Sequence, residues 1–520
     1  MSDDVADDDV AEDFDGIVIV GAGLVGAIAA VTLSSPKYGF NVRLYEARDD
    51  WRVGTTNIVG GTRPEDQHKD VIKRSINLAL SHRGQMALAN VGLLERVMAF
   101  TVPMCCRAIH STDGNADNCN ADSFQPYDEV DPSNFINSVS REGLNNLLLD
   151  EAEKSPRCEL FFGHKLAHVD REGIMHLEND KTRIPQAKQA LGTYNDYTPA
   201  SVRVKPTLCL GCDGAYSSTR EAMLRLLPMD FQRKYIDHGY KEMCIRPTPD
   251  GQFAIKDPEA LHIWPRGEFM MIALPNQDKS FTCTLFAPFE SKRDAETGAH
   301  VEGLRDITTP EQVKAYFARH FPDVVAIMPQ YVEEFLRNPA CMLVTISCRP
   351  WNWEDKVLLM GDAAHATVPF YGQGMNAGME DVLAFAEALD AHGHNLAKAV
   401  PAFAESRRPA GGAIGDLSML NYLVMRHHTR SKLFLLRKKV EGWLNWLFPK
   451  TWIPLYKMVA FTRIPYHEAV MREARQDRML TFAGKALACT AIVGAGLGIA
   501  SAVLSKWQAQ SMLWRCSGTK

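Results

Sequence analysis

The chain has 520 residues, with 57 Lys and Arg against 63 Asp and Glu and a formal net charge of −6. That balance argues against a protein built to hold polyanions, and no nucleic-acid partner is expected. The length allows two or three structural units around a large core. The twelve cysteines include a single CxxC, Cys209–Cys212, and no second pair to complete a zinc site, so free thiols and no metal site are expected.

Residues 1–15 are dominated by acids and read as a disordered, solvated tail without a secretory leader. Gly16–Val20 then reads as a strand. It runs into Gly21-Ala22-Gly23-Leu24-Val25-Gly26, and Ala27–Leu33 continues as a helix. The next strand, Asn41–Tyr45, ends at Glu46. A glycine-rich turn between strand and helix, with an acid closing the second strand, is the dinucleotide-binding pattern in its required context. Gly21 makes the tight turn, Gly23 admits a pyrophosphate to the backbone, Gly26 lets helix and strand pack, and Glu46 is placed for ribose hydroxyls. Gly54–Lys73 is a polar loop to which no role is assigned.

Farther on, Leu208–Gly211 is an apolar strand leading to Cys212-Asp213-Gly214, with Ser217, Ser218 and Arg220 just beyond. Phe269–Leu274 and Ser280–Phe286 read as adjacent strands, and alternation puts Met270, Ile272 and Leu274 on one face. Val357–Met360 is another buried strand. It opens the segment Gly361–Asp381, GDAAHATVPFYGQGMNAGMED. Asp362 ends that strand as a hydrogen-bond acceptor for sugar or ribityl hydroxyls. Pro369, Gly372 and Gly374 lead to a helix start at Met375, where unpaired N–H groups and a partial positive charge gather. Residues 400–480 read as mostly helical. Lys432–Lys439 mixes aliphatic and basic residues, with Trp443, Trp446 and Phe448 following. Either a solvated charged face or a surface leaning on anionic lipid fits that mixture. Ala486–Ser505 carries no charge, and its twenty residues would extend about 30 Å as a helix, enough to span a bilayer core.

Three turns in this order, GxGxxG, DG and GD, resemble the class A FAD-dependent aromatic hydroxylases. Within that class the chain is similar to the kynurenine 3-monooxygenase family. The likeness is carried by Arg74-Ser75-Ile76-Asn77-Leu78-Ala79-Leu80, Ser138-Val139-Ser140-Arg141, His238-Gly239-Tyr240, Leu261–Arg266, Met271–Asn276, Ser280–Phe286, Asn421-Tyr422, Ile453–Tyr456 and Tyr466–Ala469. It covers most of residues 16–480.

The resemblance implies an α/β fold. A discontinuous, Rossmann-like FAD-binding domain would take residues 16–105, 136–225 and 350–400, and a mostly antiparallel substrate domain would take 106–135 and 226–349. A C-terminal helical region, 401–480, would be followed by a transmembrane helix, 486–505, and a short tail, 506–520. It implies non-covalent FAD, NADPH as a transient co-substrate, O2, and hydroxylation of L-kynurenine at ring C3 through a flavin C4a-hydroperoxide, with no catalytic side chain required. For the cofactor it implies Gly21, Gly23, Val25, Gly26, Glu46, Arg48, Ala79, Arg141, Leu166, Asp213, Ser218, Asp362, Met375 and Asn376. For the substrate it implies Arg107 and Tyr127 at the carboxylate, Asn421 and Tyr456 as further polar contacts, and Leu261, Met270, Ile272, Leu274, Phe286 and Phe370 around the ring. The mitochondrial outer membrane, with the catalytic part facing the cytosol, is the implied location. Hydroxylation of another aromatic acid, a flavin-dependent halogenase or reductase, and a non-enzymatic Rossmann-like escort protein are the alternative readings.

Overall fold

A computed structural model of the protein describes residues 11–53, 77–111, 121–179, 201–294, 298–426 and 432–485. The strands in chain order begin with β1 (Glu12–Val20), β2 (Val42–Glu46), β3 (Asn77–Leu80), β4 (Val102–Met104), β5 (Cys106–Ile109), β6 (Ser123–Pro126) and β7 (Ile136–Ser140). Then come β8 (Cys158–Phe162), β9 (His164–Val169), β10 (Met175–Asn179) and β11 (Ser201–Gly211). β12 (Asp230–Ile245), β13 (Ala260–Pro265), β14 (Met270–Pro275) and β15 (Phe281–Pro288) follow, with the short β16 (Lys292–Arg293) and β17 (His300–Val301). The last three are β18 (Cys341–Arg349), β19 (Asn352–Trp353) and β20 (Val357–Leu359).

Two large sheets organise the molecule. The first runs β19-β20-β11-β1-β2-β8, with β9 and β10 folded onto β11. Its central strands β20, β11, β1, β2 and β8 are parallel. They are nearly continuous apolar runs because helices cover them, Leu24–Leu33 among them. The register aligns Val20 with Gly211 and Gly211 with Leu359. The GxGxxG, DG and GD turns therefore leave the carboxyl ends of three adjacent strands, side by side. Ligands of open parallel sheets bind at such an edge.

The second sheet runs β18-β12-β15-β14-β13-β5-β6. Only the β5–β13 pairing in it is parallel. Alternation along β14 divides its two faces. Met271 and Ala273 enter a core with Phe317 and Phe335, and Met270 and Ile272 pack with Phe286 and Phe370 on the other side. A small sheet, β3-β7-β4, joins the two large ones.

One expectation is corrected. The acidic tail does not extend to residue 15, because β1 begins at Glu12 and pairs from Glu12 with Val204. Arg43 makes this possible. It forks Glu12 at 2.7 and 2.8 Å and lies 4.3 Å from the centroid of the Phe14 ring, so the first acid of the strand is neutralised within the sheet. No described helix is long and apolar enough to cross a membrane. The segments 1–10, 54–73 and 486–520, and Arg74-Ser75-Ile76, lie outside the described residues.

A buried charge network ties the third turn to the C-terminal region. Asp381 accepts from the Gly361 N–H (2.9 Å), lies 2.6 Å from His365 Nε2, and accepts from Arg407 Nε (2.7 Å). Arg407 also meets Glu380 at 2.8 Å, and Glu380 is forked by the fully buried Arg83 at 2.7 and 2.8 Å. Arg83 donates in addition to the Val459 carbonyl and lies over the Tyr466 ring. Every charge is paired, which a buried network requires.

Candidate active site

The three adjacent turns open into one cavity of about 710 Å³ that runs on between the two large sheets. At its first end stand Gly21, Gly23, Val25 and Glu46. A Cβ on Gly23 would meet nothing within 4 Å, so this backbone is open to a ligand. Gly26 is different: a Cβ there would come within 1.9 Å of the Gly21 carbonyl oxygen. It packs the turn and is not part of the cavity wall.

Glu46 accepts from the Ala22 N–H at 2.9 Å and from Arg48 Nε at 2.7 Å. Burial works against its charge, but Arg48 and these backbone donors hold the carboxyl below the usual glutamate value. It is an anion suited to accepting from ribose hydroxyls. Arg48, Leu166 and Ser218 line the same end.

Asp213 also reaches the wall, but its carboxylate is engaged by Ser217 Oγ (2.5 Å) and the Thr219 N–H (2.9 Å). It fixes the DG turn and the start of the Ser218–Leu226 helix from a position on the cavity wall.

Asp362 is exposed to the cavity, and its place deep within the protein raises its carboxyl above the usual aspartate value. Arg141 is close enough to act on its charge, and Ala79 lines the same cavity. The Gly374–Ala391 helix begins with Gly374 and Met375 on the cavity wall and has no side-chain cap. Its first-turn N–H groups and dipole are thus available to a ligand carrying negative charge. Gly372 adopts φ +66°, and a Cβ there would press on Ala79 at 3.3 Å.

Asn376 departs from expectation. It is fully buried and not on the wall. Its side chain accepts from the Ser81 N–H at 2.9 Å and donates to the Ala79 and Gly372 carbonyls at 2.8 Å each. It clips β3 to the loop before the helix and acts on the cavity through that backbone.

The inner end lies against the second sheet. Leu261, Met270, Ile272, Leu274, Phe286 and Phe370 line it. Phe370 meets Phe286 edge-on at 4.9 Å and stacks on Tyr422 at 3.8 Å. Asn421 Nδ2 donates to the Phe370 carbonyl at 2.8 Å, holding that ring's backbone from the Leu396–Arg426 helix.

Arg107 and Tyr456 close the end, with the guanidinium 4.4 Å from the centroid of the Tyr456 ring. No carboxylate among the described residues pairs with Arg107. Tyr127 is buried, stacked on Tyr456 at 5.4 Å, with its ring centroid 5.0 Å from the Arg107 guanidinium, so it packs against both residues that close the end. Its hydroxyl has no hydrogen-bond partner among the described residues.

Sequence reading missed Thr282, Thr284 and Tyr371, which also line the cavity. The two threonines had a signal. They pair with Leu274 and Ile272, and alternation along β15 puts them on the face of Phe286. Nothing in the sequence singles out Tyr371.

A fold with three phosphate- and sugar-suited turns on one sheet, opening onto an aromatic-lined pocket on a second, defines a flavin-dependent aromatic hydroxylase. The FAD binding domain family model matches residues 66–414. The chain is 39% identical over 494 residues to kynurenine 3-monooxygenase of Caenorhabditis briggsae, covering 93% of this chain and 98% of that one. It is 40% identical over 470 residues to the Sus scrofa enzyme of the same name (90% and 88% covered). With that of Flavobacterium psychrophilum it shares 38% over 454 residues (87% and 90%). Among solved structures, 2-methyl-3-hydroxypyridine-5-carboxylic acid oxygenase superposes with TM-score 0.57 at 17% identity, covering 82% of this chain and 95% of that one. PqsL of P. aeruginosa in complex with 2-aminobenzoylacetate gives 0.55 at 17% (81% and 98%). These two speak for the fold alone. The chain belongs to the kynurenine 3-monooxygenase family.

Proposed function

We propose that this protein binds FAD and uses NADPH and O2 to hydroxylate L-kynurenine at ring position 3. Membership of the kynurenine 3-monooxygenase family supports the reaction. The observation that carries the substrate is Arg107, a cation without a carboxylate partner among the described residues, at the closed end of an apolar, aromatic-walled pocket. A buried charge needs pairing, and a planar guanidinium takes a carboxylate in two-pronged fashion.

FAD, when bound, supplies the oxygen-activating chemistry. The chain's part is binding and shaping. Glu46 and the Gly21–Gly23 backbone receive the adenosine and pyrophosphate end. Asp362 accepts from ribityl hydroxyls, and the N-terminus of the Gly374–Ala391 helix favours negative charge on the ring system. Arg107, with Tyr456 against it, fixes the kynurenine carboxylate. Met270, Ile272, Phe286 and Phe370 orient the ring and exclude water. Kynurenine's own amino group activates its ring, so no acid–base side chain is assigned.

The uncharged 486–505 segment is read as a membrane anchor that holds the enzyme on the mitochondrial outer membrane, catalytic part in the cytosol. Trp443 and Trp446 on the preceding Lys432–Leu447 helix are 60% and 64% exposed, which suits a membrane-facing side.

The test is anaerobic flavin reduction by NADPH with and without L-kynurenine, followed by product analysis in air. The expected result is faster reduction with kynurenine and formation of 3-hydroxykynurenine. A substrate panel in which another aromatic acid couples better than kynurenine would replace this substrate.

A further inference from the structure

The mouth of the cavity carries a constellation that binding FAD and kynurenine leaves unused. Tyr216, in the turn after β11, lines the same cavity as Asp362 and Gly374 and is 60% exposed. Tyr235 on β12 is 43% exposed, and its hydroxyl lies 3.5 Å from that of Tyr216. Tyr235 pairs with Val344 of β18, which lines the cavity as well. Arg233 stands two residues back on the same face of β12, its guanidinium 5.1 Å from the centroid of the Tyr216 ring. Its carboxylate neighbour Glu221 is 3.7 Å away and half exposed. Two phenol rings and a guanidinium thus share one patch of solvent-facing surface at the entrance to the flavin pocket.

The hydride donor needs such a place. The dinucleotide turn at Gly21–Gly26 is taken by FAD, so NADPH must come from solvent, and it must come where the cavity opens. Flat aromatic surface holds a planar base, and an arginine beside it holds a phosphate. We propose that Tyr216, Tyr235 and Arg233 form the docking platform for NADPH, the rings receiving a base of the dinucleotide and Arg233 a phosphate. The platform makes and breaks no bonds. NADPH leaves as NADP⁺ after giving its hydride to FAD.

This inference rests on the proposed function, and the experiment separates the two. Arg233→Gln and Tyr235→Leu leave the FAD and kynurenine walls intact. Both are loaded with FAD and saturated with kynurenine. Two titrations are read: the NADPH dependence of anaerobic flavin reduction, and NADP⁺ binding by saturation-transfer NMR. Each variant is expected to raise the half-saturating dinucleotide concentration roughly tenfold, the size of one charge-assisted contact. Flavin content, kynurenine affinity and reduction by dithionite should stay unchanged. Unshifted titrations in either variant overturn the joint platform of ring and guanidinium. A parent protein whose flavin NADPH does not reduce overturns the proposed function itself, and the platform with it.

Discussion

Arg107 on β5 and Tyr456 in the Leu455–Ala460 helix meet with the guanidinium 4.4 Å from the ring centroid, although they come from opposite ends of the chain. The contact holds the guanidinium at the closed end of the pocket, where a carboxylate can reach it.

Removing that cation should therefore cost substrate affinity selectively. Arg107→Ala is expected to weaken kynurenine binding by about 2–5 kcal/mol, the cost of leaving a buried carboxylate unpaired. That is roughly thirty-fold to several-thousand-fold. Arg107→Lys should recover part of the loss, since it keeps the charge without the planar fork. Titration of flavin fluorescence with kynurenine checks both, with flavin content unchanged. Parent-like binding in either variant would move the carboxylate site elsewhere.

The two glycines of the first turn should respond differently. Gly23→Leu has room for its side chain, so the protein should fold but lose FAD, because the leucine occupies the space of the pyrophosphate. Gly26→Ala brings a Cβ to 1.9 Å from the Gly21 oxygen and should lower apo-protein stability as well. Thermal unfolding of the apo proteins, paired with flavin absorbance, separates a blocked site from a broken turn. Full flavin occupancy in Gly23→Leu would contradict this placement.

Asp381 gives a pH dependence. Burial opposes its charge, but His365 and Arg407 bring the carboxyl down to about 2, against an ordinary value near 3.8. A lowered folded-state value contributes stability that is present above about pH 4 and is lost as pH falls through about 2. The size is roughly 2–3 kcal/mol. Asp381→Asn should remove that part of the acid limb and destabilise the protein at neutral pH by about 3–5 kcal/mol, since Arg407 loses a buried partner. Denaturant unfolding between pH 7 and pH 2.5 is the measurement; equal acid limbs in parent and variant would refute it.

Deleting residues 486–520 should release the protein from membranes. Full-length protein should resist carbonate extraction, and the shortened one should appear in the supernatant with FAD bound. Extraction of the full-length protein by carbonate would show that 486–505 is not a spanning segment.

The three turns and the apolar face of β14 were legible because each rests on local pattern: strand, glycine turn, helix, or strict alternation. Their adjacency was not, since it depends on β11 and β20 joining β1 across long stretches of chain. The strand start at Glu12 was hidden because the partner of that acid, Arg43, lies thirty-one residues away. Asn376 and Asp213 carry ligand-like side chains whose bonds go instead to Ala79, Gly372, Ser217 and Thr219. Tyr127 stacks on Tyr456 and lies beside Arg107, a grouping that no local pattern reveals.

The order in which the cavity walls are made has a consequence for the newborn protein. Asp362 completes the third cofactor turn, but Asn421 and Tyr456 emerge much later. Some 90 residues separate Asp362 from Tyr456, roughly 5–20 s of synthesis at ordinary ribosomal speed. During that interval the nascent chain carries a nearly finished flavin cradle with no lid over the aromatic pocket. The cofactor turns and the residues that close the aromatic pocket are thus made at different times, and the pocket is complete only once the last helices dock.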